Sequence, residues 1–141
     1  MWLAALAGWV MVALTPLVVE AAQGLWLDEI TALMRDHQDL ARAEGREAAY
    51  KPAWAQLGVV RIAFEANDLK ATYDAMNGLM DILEADARGG GIPRWSAKEL
   101  FDFCGKVTPG KYHNVMRHNP ELSKGGFDYW DDEVWDHGPG G

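Results

Sequence analysis

The first stretch of the chain, residues 2–27, is its longest apolar segment. No charged or amide side chain occurs from Trp2 to Val19, and only two polar residues interrupt the run up to Trp26. As a helix this segment would span about 36 Å, which exceeds the roughly 30 Å hydrocarbon core of a bilayer. The pattern predicts a transmembrane anchor over residues 1–24, with Trp2 and Trp26 at the two membrane interfaces.

A cleaved signal peptide is the alternative interpretation of the same segment. Val19 and Ala21 stand at the −3 and −1 positions of a possible cut before Ala22. However, signal peptides normally carry a Lys or Arg ahead of the apolar run, and this sequence has none there. A buried core helix is a third interpretation, which the absence of a polar face disfavours. If the segment is uncleaved, the free amino terminus is the only positive charge ahead of it, so we expect a cytoplasmic N-terminus and an extracytoplasmic domain.

Helical periodicity begins after the apolar segment. Apolar positions recur at three- and four-residue intervals and predict an amphipathic helix from about Leu25 to Ala48, weakened near its end by Gly45. His37 lies on this stripe, and we interpret it as a hydrogen-bonded core histidine rather than a metal ligand. The stripe consists of Leu27, Ile30, Met34, His37 and Ala41.

A second periodic region starts at Pro52, which suits the first turn of a helix. Its pattern fits either a single helix from Pro52 to Ala87 or a hairpin that turns at Asn67-Asp68. Trp54-x2-Leu57-Gly58, followed by a turn and Ala71, resembles the start of one tetratricopeptide unit, and this resemblance implies only a helical hairpin. The stripe consists of Val59, Ile62, Ala66, Leu69, Tyr73, Met76, Met80, Leu83 and Ala87.

A glycine-rich loop at residues 88–93 separates this region from two further predicted helices. Ser96-Ala97-Lys98-Glu99 matches a capping box, which predicts a helix starting at Ser96 and ending near Gly105. Trp95 and Leu100 take the positions of a hydrophobic staple around this start. Thr108-Pro109 then predicts another helix, which runs to about His118.

The tail from Ser123 to Gly141 is acidic and rich in aromatic residues. A segment of this composition does not fold by itself. Its aromatic residues suit binding in a groove of a partner protein, and the alternative is that they pack against the helical domain of their own chain. We predict partner contacts from five of its residues, namely Phe127, Tyr129, Trp130, Val134 and Trp135.

Charge and cysteine content narrow the possible functions. The net charge is −8, from 13 basic and 21 acidic side chains, which argues against nucleic acid and against an anionic lipid surface as partners. Cys104 is the only cysteine, so the chain has no internal disulfide or cysteine-based zinc site. In an extracytoplasmic domain we expect its thiol to be buried or to pair between chains. His113 and His118 are five residues apart, which does not suit a chelating pair on one helix. No catalytic, cofactor-binding or metal-binding residue is predicted.

Together these patterns predict an all-α protein with an N-terminal transmembrane or signal helix, a bundle of four to five helices and an acidic aromatic tail. The boundaries are 1–24 for the anchor, 25–122 for the helical domain and 123–141 for the tail. We expect a single-pass, membrane-anchored, non-catalytic accessory or assembly subunit. Its partners would be membrane lipid and other protein subunits, the latter through the anchor and the tail. The alternative is a secreted or periplasmic helical domain that binds a small ligand or metal.

Overall fold

The computed structural model describes the backbone of residues 10–118 and the side chains of residues 24–118. This part of the chain contains no strand, which confirms the all-α prediction. Two short 3-10 turns lie at Glu47–Tyr50 and Gly110–Tyr112. The five helices are α1 (Val10–Arg42), α2 (Lys51–Glu65), α3 (Leu69–Ala87), α4 (Arg94–Val107) and α5 (Val115–His118).

The predicted anchor lies largely outside what the structure describes, since residues 1–9 are not described and residues 10–23 are described only as backbone. Within the described part of the chain, no helix is both long and apolar enough to cross a membrane. The tail residues from 119 onward also lie outside the described residues.

Helix α1 continues without a break from Val10 into the bundle and ends at Arg42, earlier than the sequence suggests. Gly45 adopts a left-handed conformation, with φ of 69°, and the backbone amide of Arg46 bonds the Ala41 carbonyl at 2.9 Å. This turn satisfies a terminal carbonyl of the helix and redirects the chain toward α2.

Helices α2 and α3 form the hairpin that was one of the two predicted arrangements. Asn67 turns the chain with a φ of 54°, and the Asp68 carboxylate accepts a 3.0 Å hydrogen bond from the Ala71 amide at the start of α3. Helix α3 packs against both α2 and α4, while α1 packs against α4. The hairpin thus supplies one side of the bundle.

The predicted apolar stripe of the hairpin is correct from Met76 onward in α3, whereas Leu69 is exposed and Tyr73 is half-buried, and it is wrong for α2. Met76, Met80, Leu83 and Ala87 are buried, but Val59 and Ile62 point outward. Helix α2 has two apolar faces, and the buried one packs against α3. Its buried positions are Ala53, Leu57, Val60 and Ala63.

The predicted capping box at Ser96 is wrong, because α4 starts earlier. It begins at Arg94 with Pro93 in the cap position, where the Pro93 carbonyl accepts from the Ala97 amide at 2.9 Å. Ser96 therefore lies inside the first turn and is fully buried. Trp95 does not form the predicted staple, because it stacks on His37 with ring centroids 5.2 Å apart.

Gly105 lies inside α4 rather than at its end. A Cβ atom at this position would lie 3.4 Å from the His118 carbonyl oxygen, so the glycine permits the close approach of α5. The single helix predicted from Thr108 to His118 is also wrong. The chain forms a 3-10 turn, then passes through the extended His113 into the four-residue α5.

A tertiary hydrogen bond accounts for this break. The Asn77 side chain on α3 accepts a 2.8 Å bond from the Asn114 amide, which holds the chain outside a helical path. The Asn114 side chain then accepts from the Arg117 amide at 3.1 Å and caps the start of α5.

Candidate functional site

The outward face of α2 carries two large exposed apolar side chains one helical turn apart. Ala55, Gly58, Val59 and Ile62 repeat at helical spacing and are all exposed. The Ile62 side chain is 72% exposed and that of Val59 is 50% exposed. We call this set the α2 outer face. The opposite side of α2 already packs in the core, so the helix is apolar on two sides. A helix at the surface of a bundle normally has only one apolar face, which is directed toward the core.

Charged residues bound the α2 outer face at its two ends. Lys51 lies at the first position of α2 and Glu65 at the last, and both are exposed. Neither makes an ion pair with another residue of the described chain. Lys51, Gly58 and Glu65 follow one another at seven-residue steps. Each step turns about 20° around the helix, so Lys51 and Glu65 differ by about 40°.

Other exposed large apolar residues are dispersed. They lie singly or far apart on α1, α3, α4 and α5, where isolated exposed apolar residues are normal and require no explanation. Only α2, among the described helices, carries two of them one helical turn apart. The dispersed residues are Leu25, Leu40, Leu69, Trp95 and Met116.

A buried polar network joins α1, α4 and the turn before α2. His37 Nδ1 lies 2.8 Å from Ser96 Oγ, and the Tyr50 hydroxyl lies 2.7 Å from the same Ser96 oxygen. His37 Nε2 lies 3.1 Å from a Glu99 carboxylate oxygen. We call these four residues the His37 network. The prediction that His37 is a hydrogen-bonded core histidine is confirmed.

A neutral His37 ring satisfies every group in this network. Tyr50 donates to Ser96, Ser96 donates to Nδ1, and the Nε2 proton is directed at Glu99. Burial lowers the pKa of His37, and the carboxylates of Glu99 and Asp36 oppose that shift. Burial also raises the pKa of Tyr50, so its hydroxyl keeps the proton that it donates.

The His37 network contains the residue types of a hydrolase triad, but its geometry does not suit catalysis. A serine nucleophile must reach a substrate carbonyl beside oxyanion donors. Ser96 is fully buried, and both Tyr50 and His37 occupy its hydroxyl. The network therefore ties helices together.

A second histidine cluster lies under α5. His113 and His118 are both buried, and their rings are parallel with centroids 6.2 Å apart. Thr108 and Asp81 complete what we call the α5 histidine cluster. His118 Nε2 is 3.6 Å from an Asp81 oxygen, which is too long for a hydrogen bond. Within the described chain, neither nitrogen of His118 has a hydrogen-bond partner, and the same holds for His113 Nδ1 and the Thr108 hydroxyl.

Burial sets the protonation of this cluster. It lowers the pKa of His118, as does the neighbouring Arg117, while Asp81 opposes the shift. Burial likewise lowers the pKa of His113, against a hydrogen bond to the Thr108 backbone that raises it. Both rings therefore favour the neutral form. Across the described residues, no group of three His, Cys, Asp or Glu side chains has the arrangement needed to hold a metal ion.

Trp26, predicted at a membrane interface, lies inside the bundle. It is 5% exposed, stacks on Tyr112 with centroids 5.5 Å apart, and meets the Phe64 ring edge-on at 5.6 Å. These rings join α1, α2 and the second 3-10 turn. A small open cavity of about 180 Å³ borders Phe64 and Tyr112 and includes Lys111 in its lining.

Cys104 is buried, as predicted. Burial raises the pKa of its thiol to about 12, so the thiolate that a nucleophile or metal ligand requires is not formed near neutral pH. The remaining predicted site residues, Trp2 and the five tail residues 127, 129, 130, 134 and 135, lie outside the described residues and stay predictions.

The sequence pattern contained a signal for the α2 outer face that was assigned to the core. Val59 and Ile62 belong to one helical stripe, and Leu57 and Val60 belong to a second stripe on the other side of α2. Two apolar stripes on one helix are the sequence signal that one of them can lie outside the core of the bundle.

Comparisons with known proteins identify no relative. No protein-family model matches the chain, and neither the curated proteins nor the solved structures contain a significant match.

Proposed function

We propose that this protein is a non-catalytic interaction subunit whose helical bundle binds a protein partner through the α2 outer face. The observation that carries the proposal is the exposure of Ile62 and Val59 on an uncharged helix surface. Fully burying such a side chain is worth roughly 1.5–3 kcal/mol. A face of this kind therefore favours association.

The buried polar groups support a binding role over an enzymatic one. The His37 network is closed to substrate by its own hydrogen bonds, and Cys104 is buried with a raised pKa. Neither supplies the accessible nucleophile or base that a catalytic site needs.

We further propose that the apolar segment at residues 1–24 holds the bundle at a membrane, with the acidic tail as an additional contact for protein subunits. Two features support this tether: the lack of charge from Trp2 to Val19 and the continuity of the α1 backbone from Val10 to Arg42. A continuous helix would transmit the position of the anchor directly to the bundle.

The secreted alternative also has an observation in its favour. The described core residues of α1 begin at Trp26, and just before it Gly24 lies close enough to Phe64 that a Cβ built there would be 3.7 Å from the Phe64 ring. A cut before Ala22 would leave all of these contacts in place. The cavity beside Phe64 would then be the place to search for a small ligand.

Photocrosslinking tests the α2 outer face. A benzophenone amino acid placed at Ile62 in the natively expressed full chain should form a covalent adduct with a protein. The same probe at Leu40 is the matched control, because that side chain is 61% exposed but lies on α1. An adduct from Ile62 and none from Leu40 supports the proposal. If Ile62 forms no adduct, or if both positions give the same products, the face is not a binding surface.

Intact mass of the natively expressed protein tests the tether separately. We expect the full-length mass in the detergent-extracted membrane fraction and none in the soluble fraction. A mass that begins at Ala22 in the soluble fraction would instead establish the secreted form and remove the anchor from the proposal.

A further inference from the structure

We infer that the partner of the α2 outer face is a second copy of this chain, paired antiparallel about a two-fold axis that passes near Gly58. This inference rests on the proposed function, because it names the occupant of the same face. A two-fold interface must be self-complementary, since the same patch meets itself. The residues of α2 meet that condition in both charge and size.

The charge pattern specifies the antiparallel direction. Gly58 is the midpoint of the 15 residues of α2, with Lys51 seven residues before it and Glu65 seven residues after it. When two copies of α2 cross antiparallel near Gly58, Lys51 of each copy lies beside the partner's Glu65. A parallel arrangement would instead place lysine beside lysine and glutamate beside glutamate, which costs free energy.

The size of the residue at the centre of α2 suits the same register. Gly58 then lies against the partner's Gly58, where the absence of a side chain permits close approach of the two backbones. A Cβ built at Gly58 meets nothing within 4 Å in the single chain, so its side of α2 is open.

The expected dimer is weak, because one helix pair buries less than the roughly 1,600 Å² of a standard stable interface. Tethering both copies to a membrane would raise their effective concentration and compensate for the small area. We therefore expect concentration-dependent association of the full chain in mild detergent.

Disulfide trapping tests the register. In the full chain, Gly58→Cys should form a disulfide-linked dimer under mild oxidation. Ala55→Cys is the matched control on the same face, because the two copies of residue 55 would be about 9 Å apart along the helix axis, beyond the roughly 7 Å limit for a disulfide. The native Cys104 is buried and should not contribute. Equal trapping at both positions, or none at Gly58, would overturn the inferred pairing.

Charge reversal provides an independent measurement. Sedimentation equilibrium should show that Lys51→Glu weakens the dimer about tenfold, since two symmetric ion pairs become repulsive. Adding Glu65→Lys to that variant should restore the affinity by exchanging the signs. Failure of the double variant to recover would overturn the inferred charge pairing.

The photoadduct from Ile62 separates this inference from the proposed function. An adduct with the mass of two chains supports the dimer. An adduct with a different protein, or an intramolecular link to the tail at 123–141, overturns the dimer. The different protein leaves the binding function standing, whereas the link to the tail contradicts it.

Discussion

The two buried histidine clusters of this bundle have opposite hydrogen-bonding states. In the His37 network, Ser96 and Glu99 of α4 supply a partner to each ring nitrogen of His37. In the α5 histidine cluster, both nitrogens of His118 lack a partner within the described chain. Both sets of rings are removed from water to a similar extent. The difference therefore lies in whether distant segments supply donors and acceptors.

This contrast indicates different roles in stability. A satisfied buried network fixes one arrangement of the helices that it joins, because any other arrangement leaves its members unpaired. An unsatisfied cluster is held in place by packing against its neighbours, here the Phe101 ring and the glycine at position 105. We expect the stability of the fold to fall strongly when one hydroxyl is removed from the His37 network. In the α5 histidine cluster we expect stability to depend instead on protonation of the rings.

The largest predicted effect is that of Ser96→Ala on the free energy of unfolding. The substitution leaves the Tyr50 hydroxyl and His37 Nδ1 buried without their shared partner. Each such group costs about 1–3 kcal/mol, so we expect a loss on the order of 2–4 kcal/mol. For a domain of this size that corresponds to a melting temperature lower by about 10–20 °C. Thermal unfolding of the full chain, followed by circular dichroism, measures it.

Two variants serve as controls for this loss. Adding Tyr50→Phe to Ser96→Ala removes one of the two unpaired groups and should recover about 1 kcal/mol. Thr108→Val in the α5 histidine cluster removes a buried hydroxyl that has no partner in the described chain and should not destabilise. If Thr108→Val costs as much as Ser96→Ala, the contrast between the two clusters is wrong.

Local patterns predicted the parts of the fold that local residues determine. Asn67 and Asp68 contain the signal for the hairpin turn, and both act as expected. Ser96 and Glu99 also match a local signal, the capping box. In the structure, however, Ser96 bonds His37, which lies 59 residues away, and Tyr50, which lies 46 residues away. No helix-start signal encodes those separations. The preceding Pro93 was the local indication of an earlier start.

The candidate site could be predicted only in part for a related reason. Val59 and Val60 both lie on apolar stripes of α2, and periodicity alone does not decide which stripe faces the core. The rest of the bundle decides it, with α3 packed against α2, Leu57 and Val60 buried, and Val59 and Ile62 left in solvent. Those positions follow from long-range packing rather than from α2 itself.

The smaller predicted effect is a loss of stability in mild acid that depends on the α5 histidine cluster. The pKa of His118 in the folded chain lies below the ordinary value of 6.5. Above pH 6.5 the ring is neutral in both states, and the full stability is present. As the pH falls from 6.5 toward the lower folded pKa, the unfolded chain binds a proton that the folded chain does not, so stability decreases. Below the folded pKa the decrease from this group ends.

His118→Leu should remove its share of this pH dependence, because the replacement does not titrate and fills a similar volume. Melting temperatures of both proteins between pH 8 and pH 5.5 measure the difference, and the range stays above the sequence pI of about 4.8 to avoid precipitation. Asp81, Arg117 and His113 face the same ring and remain in the variant, so the difference between the two curves isolates His118. Parallel curves would show that His118 does not titrate on unfolding, and any acid sensitivity would then belong to His113 or His37, whose pKa values burial also lowers.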